Sequence, residues 1–391
     1  MDRREILKAS LAGAASMGIS SKRGYSAERE AGADAAGEPA NQAPLVAVYD
    51  YEAAAKRKLS VAGWEYFNGG SADEITLRRN RSALDAIQLK PRVLVDVRHI
   101  DTSCSLLGFK LDHPILLAPT SSHQLAHPEG EVATAQGAGM AKAIMVASTN
   151  SNRSIEEICK AASTPIWFQL YVDDDRNAVR ALIGRAEAAG CKMMVITADN
   201  PLGYARNREE RVAALMPKLP FPNLGIEALP GARGRSRRHF NWNDLEWIQS
   251  FAKMPIVLKG ILNPDDAEQA VHHGVAAIVV SNHGGRVLDT DPATIEVLPA
   301  VVDRVAGRLP VLFDGGIRRG TDILKGLAYG ASAVLIGRPY LYGLSVAGAE
   351  GVRDVVQILR TELEGAMAMT GRTRLAEIDR SVFWKSKDYS S

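Results

Sequence analysis

The chain has 391 residues, 46% of them hydrophobic, enough for one large domain or two modest ones. Its 47 basic and 45 acidic residues leave a formal net charge of +2, which removes nucleic acid as a default partner. Three widely spaced cysteines, Cys104, Cys159 and Cys191, make neither a disulfide framework nor a zinc site; they read as small buried apolar residues.

The first forty residues differ from the rest. Arg3 and Arg4 precede a weakly apolar run, Ala9–Ser20, and then Lys22, Arg23 and an Ala/Gly/Glu-rich stretch ending at Gln42. The run is too short to cross a bilayer as a helix, so no stable membrane anchor is expected. Arg3-Arg4-Glu-Ile-Leu-Lys8 looks like a twin-arginine export signal with a spacer behind it. Residues 1–43 are therefore expected to be signal and spacer, and 44–391 the folded domain. The expected location is the periplasm, or the cytoplasm if the arginines belong to a plain basic tail.

Residues 44–113 read as an N-terminal helical and hairpin lid. From Pro114 the chain repeats a short apolar run followed by a helical stretch. The runs are Pro114–Thr120, Ala143–Thr149, Pro165–Val172, Lys192–Asp199, Met254–Gly260, Ala276–His283, Leu309–Gly316 and Ala331–Arg338. Continuous rather than alternating hydrophobicity marks strands buried on both faces, as in a parallel sheet. Between them, Asp175–Gly190 has apolar residues at helical spacing, and Asn263-Pro264-Asp265-Asp266 opens another helix with a cap, a first-turn proline and acids at the positive end. Eight β–α units predict an α/β fold, a closed (β/α)8 barrel. The span after the fourth strand, from about Asn200 to Phe251, is too long for an ordinary connection. Its centre, Pro217–Phe240, carries Arg233, Arg235, Arg237 and Arg238 and reads as a solvated loop rather than a nucleic-acid patch.

In such a barrel the active site lies at the C-terminal strand ends. Those ends supply Thr120 and Ser121, Ser148, Gln169 and Tyr171, Thr197 and Asp199, Lys259, Ser281 and His283, Asp314-Gly315-Gly316, and Gly337-Arg338. Glycines and arginines after the last two strands, Arg318 included, suit a phosphate: backbone N–H groups approach the anion and guanidinium groups fork onto its oxygens. Lys259 emerges from an apolar strand and needs an anionic partner, which a carboxylate or an anionic ligand would supply. His283, followed by two glycines and Arg286, sets a base beside a carboxylate clamp, with Asp199 across the barrel.

At these residues the sequence resembles the FMN-dependent L-2-hydroxy acid oxidase and dehydrogenase family, which includes glycolate and L-lactate oxidases and mandelate dehydrogenase. The motifs are Ser281-Asn-His-Gly-Gly-Arg-Val-Leu-Asp289, Phe313-Asp-Gly-Gly-Ile-Arg-Arg-Gly-Thr-Asp322, Phe168-Gln-Leu-Tyr-Val172, Ala126-His-Pro-Glu-Gly-Glu131 and Ile336-Gly-Arg-Pro339. The resemblance implies FMN as cofactor and oxidation of a small L-2-hydroxy acid to the 2-oxo acid, with reoxidation by oxygen or another acceptor. It implies His283 as base, stabilised by Asp199, and Arg286, Arg206 and Tyr66 on the substrate carboxylate, with Tyr171 on the 2-hydroxyl. It gives the flavin to the backbone around Pro119, Thr120 and Ser121, to Ser148, Gln169, Tyr171 and Thr197, to Lys259 at N1 and C2=O, and to Ser281 near the ring. Asp314 falls on the ribityl chain, and Gly315, Gly316, Arg318, Gly337 and Arg338 on the phosphate. No metal is implied, and a homo-oligomer, tetramer or octamer, is.

Two positions depart from the relatives. Asn150 stands where an aromatic or small residue is common, and Ser121 where Ala or Gly is common near flavin N5; the first bears on substrate preference, the second on oxygen access. No Cys-x-x-Cys-His haem motif is present, and the end Tyr389-Ser-Ser391 is not a peroxisomal signal. Two rival readings stand beside this one. An FMN-dependent isomerase of phosphorylated substrates would not need His283, Arg286 and Tyr66 together, and a non-catalytic exported ligand-binding barrel would tolerate a defective catalytic position.

Overall fold

The structure is a computed structural model, and it describes residues 44–203, 205–231 and 240–384. The expected export signal, the four arginines from Arg233 to Arg238 and the final Tyr389-Ser-Ser391 lie outside the described residues. Leu45 onward forms one compact unit.

Helices α1 (Val48–Lys58), α2 (Val61–Asn68) and α3 (Ile75–Ala86) come first, then the hairpin β1 (Cys104–Leu106) and β2 (Phe109–Leu111). The repeat begins with β3 (Ile115–Leu117), α4 (Glu131–Met140), β4 (Met145–Ser148), α5 (Ile155–Ala161), β5 (Ile166–Leu170), α6 (Arg176–Ala188) and β6 (Met194–Thr197). The long connection holds α7 (Asn207–Arg211), a small hairpin of β7 (Leu219–Phe221) and β8 (Ile226–Ala228), and α8 (Trp242–Gln249). The repeat resumes with β9 (Ile256–Ile261), α9 (Pro264–His272), β10 (Ala277–Val280), α10 (Thr294–Val305), β11 (Val311–Phe313), α11 (Gly320–Ala328), β12 (Ala333–Ile336) and α12 (Arg338–Met369), the last kinked at Ala347 and Gly348.

The eight repeat strands close into a parallel barrel in chain order, β12 pairing back onto β3. Each has two apolar faces because each is covered on both sides. Ile115, Met145, Phe168 and Ile196 pack outward under the helices, whereas Leu116, Val146, Trp167, Val195 and Leu335 fill the interior. The helix signals also hold. The Asp175 carboxylate accepts from the N–H groups of Asn177 and Ala178, and Asn263 accepts from Asp265 N with Pro264 in the first turn. Such caps stabilise a helix end by about 0.5–2 kcal/mol.

Two parts differ from expectation. The segment before the first strand is not one lid. Leu106 and Leu111 join the interior cluster, and the Phe109 ring sits 6.3 Å from Trp167 near the start of β5, so the hairpin plugs the N-terminal end of the barrel. Only the helical part borders the mouth, through Tyr66 and Phe67 of α2 and through Asn80 of α3, which hydrogen-bonds Asn282 at 2.9 Å. Secondly, the centre of the long connection is not all loop: β7–β8 forms there and brings Phe221, Leu224 and Ala228 to the mouth. Proline and glycine in that stretch serve a tight hairpin rather than a structureless span.

Candidate active site

A cleft of roughly 1290 Å³, open to solvent, lies at the C-terminal strand ends. The phosphate end of its cofactor side is mostly backbone. After β11, Gly315 and Gly316 take left-handed φ values of 106° and 77°, and a Cβ on Gly316 would stand 2.3 Å from the Asn80 carbonyl oxygen. α3 packs so closely there that only glycine fits. Gly337 caps α12, which places the unpaired N–H groups of a long helix's first turn at the cleft. Arg318 donates to Ile317 O at 3.0 Å and reaches Glu52 Oε2 at 3.4 Å.

Arg338 behaves differently from expectation. Its Nε, Nη1 and Nη2 donate to the carbonyls of Phe67, Gly284 and Gly69 at 2.9, 2.9 and 3.0 Å. The guanidinium thus satisfies carbonyls at the end of α2 and in the turn after β10, and what Arg338 offers an anion is its backbone N–H. Burial, with the Arg286 and Arg318 cations nearby, pulls its pKa down to about 9. Arg206, Arg286, Arg318 and Arg338 are answered by two carboxylates, Glu52 and Glu209, among the described residues of this cluster. The residual positive charge invites an anion.

Deeper in the barrel Lys259 is buried, donates to Ser281 Oγ at 2.8 Å, and lies 3.5 Å from Asp314 Oδ2 and 4.0 Å from Asp199 Oδ2. Burial favours its neutral form, but Asp314 and Asp199 outweigh that and raise its pKa. Its anionic partners are therefore carboxylates, and it remains a cation at the cleft. Ser148 Oγ donates to Gln169 Oε1 at 3.0 Å. Among the described residues, Gln169 Nε2, Asp314 Oδ1 and Asp199 Oδ2 are buried here without a hydrogen-bond partner. Buried polar atoms are rarely left so without a ligand or water to serve. The set fits FMN. The glycine turn, the α12 N-terminus and Arg318 would hold the phosphate, and Asp314 the ribityl hydroxyls. The Pro119–Ser121 backbone, Ser148, Gln169, Thr197 and Lys259 would hold the polar edge of the ring.

The substrate side is built from side chains. His283 holds a left-handed φ of 57° beyond β10, a strained conformation for a non-glycine residue. Gly285 follows where α3 passes close by, and a Cβ there would meet Leu77 N at 2.7 Å. His283 Nδ1–H donates to Asp199 Oδ1 at 2.8 Å, which leaves Nε2 as the lone-pair nitrogen, 3.3 Å from the Tyr171 hydroxyl. Burial lowers the His283 pKa and outweighs the pull of Asp199, so the ring is neutral at neutral pH. Burial would raise Asp199, but His283 and Lys259 keep it below the usual carboxylate range. The pair is thus a neutral imidazole oriented by an ionised carboxylate.

Arg286 donates to the carbonyls of Tyr66 and Gly69 at 2.8 and 2.7 Å and to Glu209 Oε1 at 2.6 Å. Arg206 reaches the same carboxylate at 3.5 Å. The expected two-point arginine clamp is therefore engaged with Glu209, which a substrate carboxylate must displace or share. Sequence reading missed Glu209, yet it falls three residues after Arg206, one helical turn within reach of the same partner. The Tyr66 hydroxyl lies 2.5 Å from Ser121 Oγ and 3.4 Å from Ser122 Oγ. Asn150 lines the cleft, and the Thr120 hydroxyl turns away to His123 and Tyr340, leaving its backbone for a ligand.

Comparison with known proteins agrees with this geometry. Residues 55–385 match the family model described as FMN-dependent dehydrogenase. L-lactate oxidase of Nostoc sp. is 46% identical over 352 residues, 85% of this chain and 96% of that protein. Glycolate oxidase 1 of Oryza sativa subsp. indica is 42% identical over 354 residues, 87% of this chain and 96% of that protein. Among solved structures, mandelate oxidase with (S)-2-phenylpropionate superposes with a TM-score of 0.80 at 37% identity, covering 86% of this chain and 98% of that one. A flavocytochrome b2 mutant with pyruvate bound gives 0.80 at 36% identity over 89% of each chain. With a matching model across most of its length, the chain belongs to the FMN-dependent dehydrogenase family.

Proposed function

We propose that the chain oxidises a small L-2-hydroxy acid to its 2-oxo acid, with His283 as the base and Arg286, Arg206 and Tyr66 receiving the carboxylate. The observation that carries this assignment is the His283–Asp199 pair, whose Nε2 lies 3.3 Å from the Tyr171 hydroxyl in the same cleft as the arginine pair. When bound, FMN supplies the two-electron acceptor. The acid's carboxylate enters the Arg286–Arg206 pair, and Tyr171 orients the 2-hydroxyl toward Nε2. His283 takes one substrate proton at Nε2, and Asp199 stabilises the imidazolium that results. Lys259 keeps a positive charge beside the polar end of the cofactor site throughout. Isomerisation of a phosphorylated substrate leaves His283, Arg286 and Tyr66 without a joint task.

Lactate and glycolate are the first acids to test, and Asn150 favours short or polar 2-substituents because a buried amide without a partner costs about 1–3 kcal/mol. The experiment is anaerobic bleaching of bound FMN by glycolate, lactate, mandelate and a long-chain hydroxy acid. No bleaching by any of them ends the proposal. Preference for the aromatic or long-chain acid ends the reading of Asn150.

Two further readings belong to the proposal. The paired Arg3 and Arg4 support twin-arginine export, tested by fusing residues 1–45 to a reporter active only outside the cytoplasm. Equal signal after Arg3→Lys and Arg4→Lys would argue against it. A homo-oligomer is supported by exposed apolar side chains at Val93, Leu94 and Met369, which the Arg92 N–H to Met369 O hydrogen bond at 2.9 Å brings together. Light scattering that finds only monomer would remove that reading.

A further inference from the structure

Two cysteines that lie 32 positions apart in sequence meet in space. Cys159 is on α5 and Cys191 stands between α6 and β6, and their Sγ atoms are 3.6 Å apart. Cys191 is buried and Cys159 partly exposed. Cys104 belongs to the plug hairpin at the barrel's N-terminal end. Thiols in contact across two packed elements need only a small side-chain movement to reach bonding distance, about 2.05 Å.

We propose that Cys159 and Cys191 are an oxidation site, at which a hydroperoxide converts the pair to a disulfide tying α5 to the entry of β6. Cys159 is the attacking sulfur because solvent reaches it. The contact with the Cys191 thiol lowers the Cys159 pKa, while the same contact, with burial, raises Cys191. Lys192 favours the thiolate and Glu156 opposes it. The Cys159 thiolate attacks the peroxide: an S–O bond forms, the O–O bond breaks, and the departing hydroxide takes a proton to become water. Cys191 sulfur then attacks the sulfenic sulfur, the S–S bond forms and a second water leaves. Two thiols and one hydrogen peroxide give one disulfide and two waters; the sulfurs lose two electrons and the peroxide gains them.

The bond would join the chain at the start of β6, at the end of the barrel opposite Thr197 and Asp199. Residues at that end of such a barrel serve stability rather than catalysis. The cross-link should therefore raise the unfolding temperature and leave turnover unchanged, with a chain-entropy gain for the loop it closes.

The test uses the full-length holoenzyme, reduced with dithiothreitol or treated with stoichiometric hydrogen peroxide, then denatured and labelled with a maleimide. Three reactive thiols are expected after reduction and one, Cys104, after oxidation. Peptide mass spectrometry should find the Cys159 and Cys191 peptides joined with the loss of two hydrogens. The thermal midpoint should rise by a few degrees in the oxidised wild type and not in Cys159→Ser or Cys191→Ser, while kcat and KM stay unchanged. Three surviving thiols would overturn the proposal. So would a Cys159 oxidised to sulfinic acid beside a free Cys191, or any linkage through Cys104.

Discussion

The two sides of the cleft are made differently. The phosphate end of the cofactor side, at the ends of β11 and β12, is mostly backbone: Gly315, Gly316 and the first turn of α12, with the glycine turn in close contact with Asn80 and Thr294. The substrate side is side chains drawn from distant segments, with Tyr66 from α2, Glu209 from α7, and His283 and Arg286 from the turn after β10. A site made of backbone tolerates almost no change of shape but asks little of ionisation. A site made of charged side chains depends on which partner each charge has at the moment. Substitutions on the first side should therefore cost cofactor occupancy, and those on the second should cost rate with the cofactor in place.

The largest expected effect is at His283. His283→Gln should retain FMN and lose about 10²–10⁴-fold in the rate of its reduction, the usual loss of a general base. Anaerobic stopped-flow absorbance reads both quantities in one sample. Reduction near the wild-type rate would place the base elsewhere, and loss of the flavin would erase the contrast between the two sides.

Gly316→Ala should do the reverse. Its Cβ would stand 2.3 Å from Asn80 O at a φ of 77°. Strain of that kind costs about 1–3 kcal/mol, roughly 5- to 150-fold in FMN retention. The flavin-to-protein absorbance ratio after dialysis should fall, while the fraction still loaded is reduced at the wild-type rate. A normal ratio would mean that α3 yields easily.

This asymmetry also decides what was legible in the sequence. Buried parallel strands announce themselves as unbroken apolar runs, so all eight were found, and with them the ends carrying Ser148, Lys259 and Asp314. Glycine turns and caps such as Asp175 and Asn263 are equally local. The rest depends on contacts between distant segments. Glu209 reaches Arg286 across 77 positions, Glu52 reaches Arg318 across 266, and Phe109 reaches the barrel interior from a hairpin that reads like any other. The same limit hid the meeting of Cys159 with Cys191. It also left the commitment of the Arg338 side chain to three carbonyls invisible, because only the folded end of α2 and the turn after β10 supply them.

The pH profile sharpens the contrast further. Flavin reduction needs neutral His283, so its rate should rise with pH and level off above the His283 pKa. Burial lowers that pKa more than Asp199 raises it, so the limb should lie below the ordinary histidine value of about 6.5. In Asp199→Asn the raising influence is gone, and the limb should move to still lower pH while the plateau falls, by about tenfold or more. FMN occupancy should stay flat over the same range. A limb that moves upward in Asp199→Asn would mean that the carboxylate is not ionised beside the ring.

The smallest effect concerns Ser121, where the two sides touch. Its hydroxyl lies 2.5 Å from that of Tyr66, and only one of the two donates along that line. If Ser121 donates, the phenol keeps its own proton for the substrate carboxylate; if Tyr66 donates, the phenol is spent on serine. The first arrangement predicts that Ser121→Ala weakens carboxylate binding by the net value of one hydrogen bond, about 0.5–1.5 kcal/mol. That is roughly a 2- to 10-fold rise in KM with little change in kcat. The cleaner reading is the dissociation constant of oxalate, a carboxylate that binds without reacting, followed by its perturbation of the flavin spectrum. Tyr66→Phe should weaken oxalate as well, and in the double variant the loss of Ser121 should add almost nothing, because the hydroxyl it supported is gone. Effects that add to within about 0.5 kcal/mol would show the two hydroxyls acting independently. Tighter oxalate binding in Ser121→Ala would show the second arrangement, with serine competing for the proton that the carboxylate needs.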